Sequence, residues 1–207
     1  YDVRSVYSTE LGRVLAKTLD KHLIQMGVLA SRAAARIVGE TGGATITTGG
    51  SVDQLVASLF DASQIFDEKD VPDEDRVAFI RPAQYYALAQ KTELLNKDWG
   101  GAGVYADAKV LRVGGITLVK TNHLPNTVIA NGTLDAGTDN KYAGDFTGVQ
   151  ALVMLKGAIG SVKLLDLAME SEYDMRRHGT LMSAKYAMGH GLLNSQADIE
   201  IKLYSRQ

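Results

Sequence analysis

The sequence of 207 residues contains no cysteine, which excludes disulfide bonds, thiolate catalysis and cysteine-ligated metal sites. No apolar run approaches the roughly 20 residues that a membrane-spanning helix needs, and no basic segment followed by an apolar one marks a secretory signal. An excess of one charge is also missing, since 22 basic and 24 acidic residues give a formal net charge of −2. Because dedicated nucleic-acid-binding domains are usually basic, tight binding of nucleic acid is not expected.

The chain also lacks the residue patterns of common catalytic and cofactor sites. Its four histidines fall in no metal-binding pattern such as H-E-x-x-H. The glycine-rich segment 100–103 follows a predicted helix and lacks the lysine and hydroxyl residue of a phosphate-binding loop. The acidic stretch 67–75 lacks the spacing of an EF-hand loop. We therefore expect no enzyme, no cofactor and no metal site. A soluble α/β enzyme with its pocket around residues 100–103 stays open as an alternative.

The clearest feature that is present is one long amphipathic pattern at the start of the chain. Apolar residues recur at helical spacing from Val3 to Ile37, and no proline interrupts them. The pattern predicts a helix about 50 Å long, because each residue adds about 1.5 Å. Helices in compact domains average about 11 residues, so a helix of this reach is better suited to act as a strut than to line a small pocket.

The middle of the chain predicts a compact α/β region. Ser51 and Gln54 form a capping box, which marks the start of a helix, and Pro82 fits the first turn of another. The elements predicted in order are a flexible glycine-rich connection at 41–50, a helix from 51 to 66, a buried strand at 77–80, a helix from 82 to 94, two strands at 110–113 and 116–119 joined by Gly114 and Gly115, and a long polar loop at 126–148.

Three segments near the end of the chain alternate apolar and polar residues, at 165–170, 182–188 and 197–203. This period of two predicts antiparallel strands with one covered face and one wet face. The long helix, laid across the resulting sheet, would supply the cover.

Several segments, in the same order along the chain, resemble the major capsid protein of short-tailed bacteriophages of the T-seven-like type (podoviruses). The segment YDVRS at residues 1–5 resembles the start of that family's long spine helix, and AKYAMGHG at 184–191 resembles its C-terminal signature. Between them, VGGI at 113–116, NHLP at 122–125 and GSVKL at 160–164 are similar to further pieces of tailed-phage capsid subunits.

The resemblance implies an α+β subunit with the Hong Kong 97-like capsid fold. In that fold a long spine helix packs on an antiparallel sheet to form a peripheral domain, expected here at residues 1–40 and 155–207. An inserted α/β axial domain is expected at 41–154, with loop 126–148 near the capsomer axis. Family members also carry an N-terminal arm and an extended loop before the spine helix, so both are expected upstream of residue 1.

The function implied is that of a virion structural protein that assembles itself into pentamers and hexamers of an icosahedral shell around double-stranded DNA. Expected partners are further copies of the chain, scaffolding and portal proteins, and the packaged DNA through weak non-specific contact; no membrane is expected. Assembly would take place in the cytoplasm of the host bacterium. An encapsulin-like compartment that encloses enzymes is the alternative within the same fold.

Four arginines are the candidate subunit-interface residues. Arginine forms planar, bidentate pairs with carboxylates, which suits contacts between subunits. The candidates are Arg4, Arg13, Arg176 and Arg177, and simple surface charge is the competing interpretation for each.

Overall fold

The computed structural model describes residues 3–35, 38–91, 112–130 and 141–204. Three α-helices, ten strands and a short 3₁₀ helix at Ser195–Ala197 make up the described fold. The helices are α1 (Val3–Ser31), α2 (Val52–Glu68) and α3 (Pro82–Ala89). The strands are β1 (Ala44–Thr48), β2 (Arg76–Ile80), β3 (Arg112–Val113), β4 (Ile116–Lys120), β5 (Val128–Ile129), β6 (Gly144–Asp145), β7 (Val149–Leu155), β8 (Ile159–Asp174), β9 (Gly179–Leu192) and β10 (Asp198–Leu203).

Six strands form a central sheet in the order β1-β10-β7-β2-β4-β3. Strands β1, β10, β2 and β4 run in one direction, whereas β7 and β3 run in the other. The middle strand β7 is buried on both faces. Apart from Gln150 its residues are all apolar, and it lacks the alternation that marks a half-exposed strand. For this reason β7 is absent from the elements that the sequence predicts.

Helices cover both faces of this sheet. Helices α2 and α3 pack on one face, where Leu59, Phe66 and Leu88 meet Ile199 and Ile201. The C-terminal half of α1 packs on the other face, and its Ile24 and Val28 join Phe146, Leu152 and Met154 in a second cluster. The sheet therefore has a core on each side.

Helix α1 is one unbroken helix of 29 residues, about 44 Å long, as the strut prediction requires. It ends at Ser31, earlier than predicted, and Ile37 lies outside the described residues. Just beyond the helix, the guanidinium group of Arg32 turns to the carboxylate of Glu200 on β10, with nitrogen–oxygen distances of 2.7 and 2.5 Å. This long-range ion pair accompanies the early end of the helix.

The prediction of a flexible connection at 41–50 is wrong, because this segment contains β1, which pairs in parallel with β10.

Four predictions for the middle of the chain are confirmed. They are the capping box of α2, strand β2, Pro82 at the first turn of α3 and the β3–β4 pair. Gly114 and Gly115 join β3 to β4 with φ angles of 57° and 82°, which favour glycine in a tight hairpin turn. Helix α3 ends at Ala89 with Gln90 as its C-cap, so the predicted continuation to residue 94 is wrong at residues 90–91. Residues 92–94 and the glycine-rich segment 100–103 lie outside the described residues. The predicted loop 126–148 contains the short pair β5–β6, and its residues 131–140 are not described.

All three alternating segments near the end are strands, but they belong to two sheets. Strands β8 and β9 form a separate hairpin, while β10 joins the central sheet. The prediction that one face of β10 is wet is also wrong. Asp198 and Glu200 are fully buried, because α1 covers the face of the sheet on which they lie.

Two negative findings apply to the described part of the chain. It contains no helix with both the length and the apolar character needed to cross a membrane. Nor does it bring three or more histidine, aspartate or glutamate side chains together as a metal site would.

Candidate assembly surface

The hairpin of β8 and β9 is the largest structure outside the central sheet. Strand β8 has 16 residues and β9 has 14. The pairing register shifts between Lys163 and Leu165, and again between Leu165 and Ala168. These irregularities account for the two extra residues of β8. Bulges of this kind bend a strand and increase its twist, so the hairpin is bent close to the middle of β8.

The N-terminal half of α1 lies along this hairpin. Leu15 and Leu19 of the helix face Leu167 and Tyr186, and a gap of about 170 Å³ stays open between the two layers. Gly12 also lines this gap, and nothing lies within 4 Å of the position that a β-carbon would take there. The helix therefore supports the hairpin without filling the interface.

The helix and the hairpin are joined at their base by an aromatic cluster. The ring of Tyr142 lies between His22 of α1 and His190 of β9, with ring centroids 5.2 and 6.0 Å away. The backbone N–H of His190 donates to the Tyr142 hydroxyl at 2.9 Å, and Ser161 Oγ lies 2.7 Å from His190 Nδ1. Burial lowers the pKa of both histidines, and that of His22 is lowered further by the nearby His190. The cluster therefore favours neutral imidazoles.

Much of the apolar surface of the hairpin is exposed. Leu164 is 81% exposed and Met175 78%. The exposed apolar side chains of the hairpin are Val162, Leu164, Leu165, Leu167, Met169, Tyr173, Met175, Leu181 and Met188. The predicted covered face is thus only partly covered, because α1 spans the hairpin along a single stripe.

This exposure indicates a surface that binds other proteins. A two-stranded hairpin alone is at best marginally stable in water. Within the described part of the chain β8 and β9 pair only with each other, which leaves an unpaired edge on both strands. Contiguous exposed apolar surface on a folded protein usually marks an interaction site. We call the hairpin, together with the N-terminal half of α1, the assembly surface.

Exposed ion pairs lie on the assembly surface beside its apolar side chains and leave those side chains exposed. Lys163 Nζ lies 2.7 Å from Asp166 across the bulge, and Lys185 Nζ lies 3.1 Å from Glu170 across the strands. Hydrogen bonds from Lys163 and from the backbone N–H of Leu167 hold the pKa of Asp166 below its ordinary value. Exposed pairs of this kind contribute little stability, so they serve mainly to keep polar groups beside the apolar ones.

The four candidate arginines all lie on the assembly surface, two on α1 and two in the turn of the hairpin. Arg4 lies on α1 beside Met169 and Met182 of the hairpin, and Arg13 pairs with Glu10 of its own helix at 3.0 Å. Arg176 and Arg177 lie in the turn that joins β8 to β9, where the backbone N–H of Arg176 donates to the Asp174 carboxylate at 2.9 Å and the guanidinium of Arg177 lies 3.8 Å from it. The structure therefore does not bring the four together in one cluster.

Sequence reasoning missed the exposed apolar residues of the hairpin. One signal for them is present, since the adjacent pair Leu164–Leu165 breaks the alternation and places apolar groups on both faces. It marks both the bulge and the absence of a single covered face.

Solved structures with this fold include two phage capsids and a virus-like particle. The capsid of Cyanophage P-SCSP1u aligns over 100% of this chain and 67% of that chain, with a TM-score of 0.90 and 36% identity. The mature capsid of bacteriophage PhiM1 also aligns over 100% of this chain and 67% of that chain, with a TM-score of 0.80 and 18% identity. The virus-like particle from Pyrococcus furiosus shares only the fold, at a TM-score of 0.54 and 12% identity over 97% of this chain and 71% of that chain. Fold and assembly surface together define a phage capsid subunit.

Sequence relatives identify the family. The major capsid proteins of Escherichia phage T7 and Enterobacteria phage T3 are each 29% identical to this chain, over 224 and 231 residues that cover 95% of it. The model of the Gp10A-like major capsid proteins matches residues 1–202, and the chain belongs to that family. The resemblance to capsid proteins of the T-seven-like type is thus confirmed. The chain spans 64% of the length of the T7 and T3 proteins.

Proposed function

We propose that this chain is the body of a major capsid subunit that assembles with further copies of itself into pentamers and hexamers of an icosahedral shell. The observation that carries the proposal is the assembly surface, a long hairpin with nine exposed apolar side chains in a member of a capsid family. Repeated copies of one surface can close into a symmetric particle. Many modest contacts then add up to a stable shell.

The Hong Kong 97-like arrangement is the fold that this proposal adopts. An unbroken 29-residue helix laid along a hairpin of two long strands supports it. The peripheral domain then comprises 1–40 and 155–207, and the axial domain comprises 41–154 with loop 126–148 near the capsomer axis. Of the described strands in the last segment, β10 alone pairs with strands from the middle of the chain, so β10 links the two proposed domains.

The remaining roles follow from the same proposal. The shell encloses double-stranded DNA, and a net charge of −2 is compatible with weak, non-specific contact with it. Scaffolding and portal proteins act as partners during assembly in the host cytoplasm. Arg4, Arg13, Arg176 and Arg177 contact carboxylates of neighbouring subunits. An encapsulin-like compartment is less well supported, because the sequence relatives are phage capsid proteins.

Electron microscopy of the full-length protein tests the proposal. We expect closed shells with five-fold and six-fold capsomers. Monomers or small rings of the folded full-length protein would contradict it, and shells that hold enzyme cargo and no DNA would favour the encapsulin alternative.

A pair of substitutions tests whether the assembly surface is responsible. Replacing Leu164 and Leu181 together by serine should sharply reduce the yield of shells, because both side chains are exposed and apolar. Val38→Ser is the matched control, since Val38 is fully exposed in the turn after α1. Circular dichroism should show both variants folded. Equal yields of shells from the double variant and the control would show that assembly does not use the hairpin.

A further inference from the structure

A cleft opens at the edge of the central sheet opposite the hairpin. The parallel strands β1 and β10 end there, at Thr48 and Leu203, and β2 leads there into α3. In open α/β sheets, ligands usually bind outside the carboxyl ends of parallel strands. The cleft has a volume of about 330 Å³, near the lower end of the range for small-molecule sites, about 300–1,000 Å³.

Two residues that line the cleft carry buried polar atoms with no hydrogen-bond partner among the described residues. These atoms are Thr48 Oγ1 and Gln84 Oε1. Thr48 is 4% exposed, and the alternation along β1 directs its side chain to the same face as Ala44 and Ile46, which pack under α2 and α3. Because buried polar groups in native proteins are nearly always hydrogen-bonded, the two atoms are available to hydrogen-bond a group that enters the cleft.

The first turn of α3 supplies further donors at the same place. Pro82 has no N–H, and the N-cap residue Arg81 makes no capping hydrogen bond through its side chain, since arginine has no acceptor. The backbone N–H groups of Ala83 and Gln84 lie in the first turn, where a helix offers no acceptor of its own. Helix α2, which also begins at the cleft, is capped by Ser51.

The remaining lining limits the chemistry of the ligand. Leu55, Ala87 and Leu203 give the cleft an apolar wall, and among the described residues no charged side chain lines it. A carboxylate would suit the N–H donors, but one of its oxygens would face the carbonyl oxygen of Gln84. A carboxamide avoids this conflict because it offers one acceptor and one donor side by side.

We propose that this cleft binds a primary carboxamide on a short aliphatic stem. Its oxygen accepts hydrogen bonds from the Thr48 hydroxyl and from the first turn of α3, and its NH₂ group donates to Gln84 Oε1. The carboxamide belongs either to a free small molecule or to a glutamine or asparagine side chain of a polypeptide. None of the residues that line the cleft belongs to the assembly surface.

Amide hydrogen exchange of the full chain, followed by mass spectrometry, tests the proposal in free subunits and in shells alike. Propionamide is the probe for a free amide, a Gly-Gln-Gly peptide is the probe for a side chain, and sodium propionate is the charged control. We expect propionamide to slow exchange at Ala83 and Gln84 in a saturable way, by about tenfold at ten times its Kd. Protection by the peptide as well would assign a polypeptide source, and protection by propionamide alone a free molecule.

Matched variants separate binding from folding. Thr48→Val and Gln84→Leu should abolish the protection, whereas Thr47→Val should keep it, because Thr47 is an exposed neighbour on the opposite face of β1. Thr48→Val removes an unpaired buried hydroxyl and should fold as well as the wild type. No saturable protection in the wild type, equal protection in Thr48→Val, or stronger protection by propionate would each overturn the proposal.

Discussion

Asp198 offers the sharpest physical test of this fold. It lies on β10, it is fully buried, and neither of its carboxylate oxygens has a hydrogen-bond partner among the described residues. It faces the side of the sheet that α1 covers, next to Met154 on β7. Glu200, two residues further on the same face, is equally buried but is paired with Arg32. Burial without a partner raises the pKa of Asp198 from its ordinary value of 3.8 to about 8.

The sign of the resulting pH dependence follows from proton binding. Between pH 4 and pH 8 the folded chain keeps the proton on Asp198, whereas the unfolded chain has lost it. The free energy of unfolding therefore falls as the pH rises through this window, by about 1.4 kcal/mol per pH unit, and levels off above pH 8. Over the practical range from pH 5.5 to 8 the loss is about 3 kcal/mol.

The substitution Asp198→Asn isolates this effect, because asparagine has a similar shape and does not titrate. Urea denaturation of the unassembled chain measures the free energy of unfolding at each pH. Between pH 5.5 and 8, the value for the variant minus that for the wild type should increase by about 3 kcal/mol. Asp61→Asn, at an exposed position on α2, is the control for loss of one acidic group. A difference between Asp198→Asn and the wild type that stays constant with pH would refute the reasoning, since Asp198 would then be ionised or partnered in the folded chain.

Three further predictions concern stability and use the same denaturation assay. Gly12→Ala should stabilise α1 by about 0.8–1 kcal/mol, because nothing lies within 4 Å of the added β-carbon. Gly27→Ala should destabilise the chain by about 1–3 kcal/mol, because its β-carbon would lie 2.7 Å from a Leu152 methyl carbon. Equal effects of the two would contradict the packing of α1. Arg32→Met should cost about 3–5 kcal/mol, since it leaves the buried Glu200 carboxylate unpaired; a loss below 1 kcal/mol would show that the pair is dispensable. Burial lowers the pKa of His190, so protonation at low pH favours the unfolded chain. As the pH falls below 6.5, the free energy of unfolding of His190→Gln should therefore rise relative to that of the wild type. Parallel pH profiles of the two proteins would contradict this.

Local patterns predicted many individual elements well. Helical spacing gave α1, the Ser51–Gln54 box gave the start of α2, and a glycine pair gave the β3–β4 turn. Each of these signals depends on residues within a few positions of one another, where sterics and hydrogen bonding act locally. The assembly surface was predicted only as strands, because alternation shows which residues share a face but not whether anything covers that face.

Long-range packing decided the rest. The end of α1 is accompanied by an ion pair between Arg32 and a residue 168 positions away, which no local pattern reports. Strand β7 escaped prediction because cover on both faces removes the alternation.

The sequence by itself determined the three helices and several of the strands, the absence of cysteine chemistry, and the resemblance to phage capsid proteins, because composition, periodicity and short motifs are properties of neighbouring residues. Only the tertiary structure decided that β10 leaves the hairpin for the central sheet, that Asp198 and Glu200 are buried, and that the hairpin stays exposed. The physical reason is the same in each case: burial depends on what packs against a face, and the packing partner is distant in sequence.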